Sequence, residues 1–197
     1  VLSNKFGSEQ NEFGPNSIAF FLAGWLPRWA GYKYSLSGKP DFFEGAPGVP
    51  QSLVQTGTKQ INCSTFTFAA LGCLYPRNVF DLDWYKVHNL WAPFSQFDNV
   101  EYCFERGILG PISNEIGDEC GWYLVQAWNE SFTSGHSFFV WKAQSGYRLL
   151  EASGRNPEWG AIIWRNMGSA TSGEPLDRWA SLESLKLKSR IRAGRLL

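Results

Sequence analysis

The chain of 197 residues is sparing with charge, with histidine and with long apolar runs, and each shortage removes a class of function. Charged side chains make up 18% of the residues, and 18 acidic groups balance 18 basic ones. That balance argues against a dedicated nucleic-acid binder, which would rely on an overall basic surface. No window approaches the roughly 18 consecutive apolar residues that would cross a bilayer, so no membrane span is expected. The longest apolar run, Ile18 to Leu26, starts well inside the chain and has no positively charged lead-in, which makes it a poor signal peptide. Only two histidines, His88 and His136, are present, and no two cysteines stand at CxxC spacing. A zinc site is therefore not expected. A P-loop, a GxGxxG after a strand and a GxSxG elbow are all missing, so no metal and no organic cofactor is implied.

What is present fits one hydrophobic core. The length favours a single domain over residues 1–197, and hydrophobic residues supply 44% of it. Residues 1–15 read as a polar, poorly fixed arm. Asn16 or Ser17 is placed to cap a helix over Ile18 to Leu26, before Pro27. From Gly38 to Gly57 the chain carries Pro40, Pro47, Pro50 and several glycines, the composition of a long loop. A helix then begins at Cys63, with Phe66, Ala69, Ala70 and Cys73 on one face, and is ended by Gly72 and Pro76. The aromatic-rich stretch from Val79 to Gly121 reads as irregular, with one short helix around Asn99 to Arg106.

The second half alternates apolar runs with Gly, Ser, Asn and Thr clusters. Trp122–Trp128, Ser137–Lys142, Tyr147–Glu151 and Ala161–Arg165 read as strands, and Gln144-Ser145-Gly146 as the tight turn of a hairpin. A helix followed by an antiparallel sheet of four or more strands is an α+β fold. Residues 185–197 form a basic segment, in which Lys186, Lys188, Arg190 and Arg192 alternate with apolar or small residues. Two readings apply to it: a solvated edge strand guarded against aggregation, or a face attracted to an anionic polymer such as a cell wall.

Four cysteines admit two disulfides, one, or none. Cys63 and Cys73 stand at the two ends of one helix, about 15 Å apart at 1.5 Å per residue, and bridged Cα atoms lie within roughly 7 Å. They cannot pair. Cys103 and Cys120 remain either a disulfide, which would contribute about 3 kcal/mol, or two thiols.

Position gives the cysteines their chemistry. The unpaired amides and dipole of a helix N-terminus stabilise a thiolate, and Cys63 sits at such a start. A thiol there needs an imidazole to reach a useful ionised fraction. His136 follows Gly135 at the start of a strand, from which its ring can project toward the helix. His88 lies in the irregular stretch and is the weaker partner. A hairpin through Ser145-Gly146 returns Glu151 roughly opposite His136, where a carboxylate would orient the ring and stabilise its cation. Each residue alone has a bland reading: core cysteine, hydrogen-bonded histidine, solvated glutamate. Their order (helix Cys, strand His, strand Glu) favours a catalytic triad. Cys63 would attack an amide carbonyl, His136 would relay the proton to the leaving amine, and the Cys63 N–H would supply one oxyanion donor. Gln126 interrupts an apolar strand, which makes it a candidate for the second donor or simply an outward-facing residue.

These segments carry a resemblance. Asn62-Cys63-Ser64-Thr65-Phe66 resembles the Asp-Cys-Ser-Gly nucleophile segment of the NlpC/P60 family, and Gly135-His136-Ser137-Phe138-Phe139-Val140 resembles its Gly-His strand. Leu149-Leu150-Glu151-Ala152-Ser153-Gly154 is similar to the strand that follows, and Trp29-Ala30-Gly31 is similar to a Trp-Gly-Gly turn. The resemblance covers about residues 25–155 and implies a papain-like fold and hydrolysis of amides in peptides or peptidoglycan stem peptides. It implies a secreted or periplasmic setting, an inhibitor or immunity protein as a possible partner, and Tyr32 or Tyr34 as substrate contacts. With Gln126 and Trp128 these make the expected substrate-binding set. Asn62 replaces the family's Asp, Thr65 replaces its Gly, and the long Pro/Gly loop implies a remodelled groove.

Two alternatives stay open. The same constellation serves proteases, deamidases and acyltransferases with other substrates. Ten Trp, seven Tyr and fifteen Phe could instead line the surface of a non-catalytic glycan-binding module. Asn62-Cys63-Ser64 and Asn129-Glu130-Ser131 are formal glycosylation sequons, and a glycan on Asn62 would crowd the proposed nucleophile.

Overall fold

Aromatic and β-branched residues dominate the second half, and they pair there into one sheet. The computed structural model describes residues 24, 26–36, 59–80, 96–128, 135–144, 146–152, 162–167 and 190–197. The expected arm at 1–15, most of the Ile18–Leu26 helix, the Gly38–Gly57 loop, His88 and Lys186 to Lys188 lie outside them. The elements in chain order are a 3-10 turn (Leu26–Trp29), β1 (Lys33–Tyr34), β2 (Gln60–Ile61), α1 (Cys63–Leu74) and α2 (Gln96–Glu105). Then follow β3 (Gly121–Trp128), β4 (Gly135–Ala143), β5 (Gly146–Ala152), β6 (Ile162–Met167) and β7 (Arg190–Arg195). The fold is α+β. Strands β3 to β7 form an antiparallel sheet in the order β6-β5-β4-β3-β7, and β1 and β2 form a separate parallel pair.

The sheet has two apolar faces because alternate residues point to opposite sides. Trp122, Leu124, Phe139, Trp141, Leu150 and Ala152 share one buried cluster with the residues of α1. Tyr123, Val125, Ala127, Phe138, Val140, Leu149, Ile191 and Ala193 make the other. Helix α1 lies along β4 and β5, and α2 lies along β3 and β7. None of the helices among the described residues is long and apolar enough to cross a membrane.

Helix α1 is buried on every side from Cys63 to Cys73, not on one face as its spacing predicts. A helix that is apolar all round belongs in an interior. Phe66 fastens it, meeting Trp29 edge-on at 5.4 Å and Phe139 edge-on at 6.4 Å. Gly72 does not end the helix: packing carries it to Leu74, where Tyr75 N–H still reaches the Leu71 carbonyl and Pro76 stops it.

The remaining corrections are local. The short helix runs over Gln96–Glu105, slightly ahead of its expected span, and the strand expected at Ala161–Arg165 is Ile162–Met167. All four cysteines are thiols, so the Cys103–Cys120 disulfide does not exist: Cys103 is buried and Cys120 exposed. β7 is an edge strand, but Arg192 binds Glu101 at 2.7 Å, so one of the chain's own carboxylates neutralises part of its basic stripe; Arg195, outside that stripe, binds Glu119 at 2.7 Å.

Candidate active site at the start of α1

Three chain segments meet where α1 begins. Asn62 stands at the N-cap in extended conformation, with its Oδ1 accepting the Thr65 N–H at 2.9 Å. In return the Asn62 N–H donates to Thr65 Oγ1 at 2.9 Å, which completes a capping box. Ser64 Oγ also donates to Asn62 Oδ1, at 3.0 Å. Asn62 and Thr65 are thus partners in one device that starts the helix. The other end of the Asn62 amide reaches across the chain, Nδ2 donating to the Leu36 carbonyl at 3.2 Å. With this side chain fully used and 3% exposed, Asn62 has no room for a glycan in the folded protein.

The cap fixes Cys63 as the first residue of the helix, and the sheet brings its partners. His136 lies at the start of β4, opposite Ala127 of β3. Phe139 pairs with Leu150, a register that carries Glu151 to the level of Phe138, two residues short of a direct crossing from His136, so that His136 and Glu151 are diagonal neighbours. The two side chains close that gap: His136 Nε2 lies 2.5 Å from Glu151 Oε2. Both are buried, at 8% and 1% exposure. With Nε2 committed to the carboxylate, Nδ1 serves the Cys63 sulfur, and His136 and Cys63 are hydrogen-bonded. Phe138 stacks on the imidazole with centroids 5.3 Å apart, which limits its tilt.

The electrostatics favour a separated charge pair. Burial works against ionising the Cys63 thiol, but hydrogen bonding and charge from His136, the Ser137 N–H and the Tyr34 hydroxyl outweigh it, holding the thiol below its ordinary range. Burial likewise opposes the imidazolium, yet the hydrogen bonds to Cys63 and Glu151 and their negative charges push His136 up to about 10. Both shifts have one cause, the contact between the sulfur and the ring, and each favours the charged form of its group.

The expected substrate-binding residues scatter. Tyr34 pairs with Ile61 across β1 and β2, and its hydroxyl reaches Cys63 from there. Its own ionisation is pushed up by burial and by the neighbouring sulfur. Tyr32 is 6% exposed and packs in the core cluster with α1. Gln126 does not face outward: it is 1% exposed, opposite Ser137 in the sheet. Trp128 is the last residue of β3, opposite Gly135, and its side chain lies outside the described residues. The Ser137 N–H was not signalled in the sequence, because a backbone donor is set by where the strand runs and not by residue type. The Asn62 cap was likewise not read from the sequence, although Asn before a helix start is a common N-cap.

Comparison with family models, with curated proteins and with solved structures finds no match to this chain.

Proposed function

We propose that this chain is a cysteine-dependent amide hydrolase of papain-like, NlpC/P60-type fold, acting on peptides and foremost on peptidoglycan stem peptides. The observation that carries the reading is the unbroken line of contacts from the Cys63 sulfur through His136 to Glu151, three residues distant in sequence. In this reading Cys63 attacks the amide carbonyl as a thiolate. The His136 imidazolium, oriented by Glu151, then gives its proton to the leaving amine. Water, deprotonated by the neutral imidazole, hydrolyses the thioester and returns the site to its ion pair. The Cys63 N–H, at the open end of α1, is positioned by sequence as one donor to the oxyanion.

The elements support this assignment of roles. The nucleophile is on a helix and the base on a strand, both held by packing, as a site that must keep its geometry requires. The alternative of a non-catalytic glycan-binding module gives no account of a buried carboxylate aimed at an imidazole beside a thiol. Incubating purified peptidoglycan with the wild-type protein should release new amino groups detectable by mass spectrometry. Cys63→Ala should release none. Unchanged peptidoglycan, together with a Cys63 no more reactive than an ordinary thiol, would sink the proposal.

A further inference from the structure

Gln126 carries a feature that the triad does not use. It lies on β3 directly opposite Ser137, and alternation puts both side chains on the face of the sheet that carries Leu124 and Phe139. Its Nε2 donates to Ser137 Oγ at 3.4 Å, while its Oε1 is buried and has no hydrogen-bond partner among the described residues. Folded proteins leave few buried acceptors unpaired, because the lost hydration is not returned. A hydrocarbon side chain would fill this place without that penalty. Gln126 is one strand removed from the Cys63 contact: its cross-strand neighbour Ser137 holds the sulfur through its N–H, and facing residues in a sheet have Cβ atoms about 4.5–5.5 Å apart.

We propose that Gln126 is a specificity-determining residue, whose Oε1 accepts an N–H from the acyl part of a peptide-like substrate. The inference rests on Cys63 being the nucleophile. In a peptide acyl donor the N–H of the residue under attack is two bonds from the carbonyl carbon, within a few ångström of the sulfur. A fatty or simple carboxylic acyl chain has only methylenes at that position and would leave Oε1 desolvated and unpaired. Gln126 would thereby select peptide acyl groups over aliphatic ones.

Two activated esters that differ at one position provide the test: p-nitrophenyl N-acetylglycinate, which has the N–H, and p-nitrophenyl 4-oxopentanoate, in which a methylene replaces it. Thiolate attack forms the carbon–sulfur bond and breaks the ester carbon–oxygen bond. p-Nitrophenolate leaves with the electron pair and is read by absorbance. The ratio of the two acylation rates, divided by the same ratio for N-acetylcysteine, separates recognition from intrinsic reactivity. The wild-type protein is expected to favour the N–H ester by about tenfold, a factor worth about 1.4 kcal/mol. Gln126→Met should fall to the free-thiol ratio, and Gln126→Glu, which keeps a carbonyl acceptor, should retain the preference. A melting temperature of Q126M at or above the wild-type value would show that the loss is not one of folding. Equal ratios in wild type and Q126M, or a wild-type ratio no greater than that of N-acetylcysteine, overturn the inference. If Cys63→Ala is acylated as fast as wild type, the nucleophile assignment itself fails, a result distinct from a lost preference.

Discussion

Replacing Glu151 by Gln removes one negative charge and little volume from a position that is 1% exposed and 2.5 Å from the His136 ring. The carboxylate contributes to the rise of His136 to about 10 both as a hydrogen-bond acceptor and as a charge. If its removal lowers that value by one to two units, the thiolate–imidazolium pair loses about 1.4–3 kcal/mol relative to the neutral pair. The measurement is the rate of iodoacetamide alkylation of Cys63 from pH 5 to 10. Wild type should alkylate at pH 6 far faster than a free thiol, which is well under one per cent ionised there. E151Q should lose about tenfold to hundredfold at pH 6 and converge on wild type at high pH. Stability has a defined sign as well. A histidine whose folded pKa stands above its unfolded value of about 6.5 stabilises the protein fully below that pH, and the contribution disappears as pH rises through about 10. The E151Q deficit in melting temperature should therefore be largest near pH 6, about 3–12 °C at about 2–4 °C per kcal/mol. It should shrink toward pH 10. An E151Q alkylation profile that overlays wild type would refute the coupling of Glu151 to the sulfur.

Further outcomes follow from the same geometry. Mass spectrometry after brief alkylation of the native protein should find label on Cys63 and on the exposed Cys120, but not on buried Cys103 or on Cys73, whose thiol burial pushes up to about 12. Asn62→Ala removes a capping box and the bond to Leu36, and should cost about 1–2 kcal/mol in denaturant titration, with slower Cys63 alkylation. Phe66→Ala empties the contact among Trp29, α1 and Phe139 and should cost about 3–5 kcal/mol. Chemical denaturation would show such a loss as a lower midpoint with an unchanged slope.

The parts of the fold legible in the sequence were those encoded locally. β3, β4 and β5 could be read because aromatic and β-branched runs alternate with turn residues, and the Gly146 turn brought the second and third of them together. The start of α1 was readable from the spacing of the apolar residues after Cys63. The end was not, since Gly72 weakens a helix in isolation and only the surrounding core keeps the chain helical through it. The pairing of Tyr34 with Ile61 involves strands of two residues each, too short to leave a period. The same limit applied to the site. His136 and Glu151 could be matched because one hairpin joins them, whereas the contacts of Cys63 with Tyr34 and Ser137 come from distant segments. The inward position of Gln126 was equally hidden, because a lone polar residue in an apolar strand reads the same on either face.

The amide of Asn62 faces two ways, and this bears on the identity of the residue before the nucleophile. An aspartate could accept from the Thr65 N–H as well as Asn62 does, but it has no hydrogen to give to the Leu36 carbonyl. At this position, then, asparagine in place of aspartate adds one link between the segment that follows β1 and the start of the helix bearing Cys63, beside the backbone bonds that already pair β1 with β2.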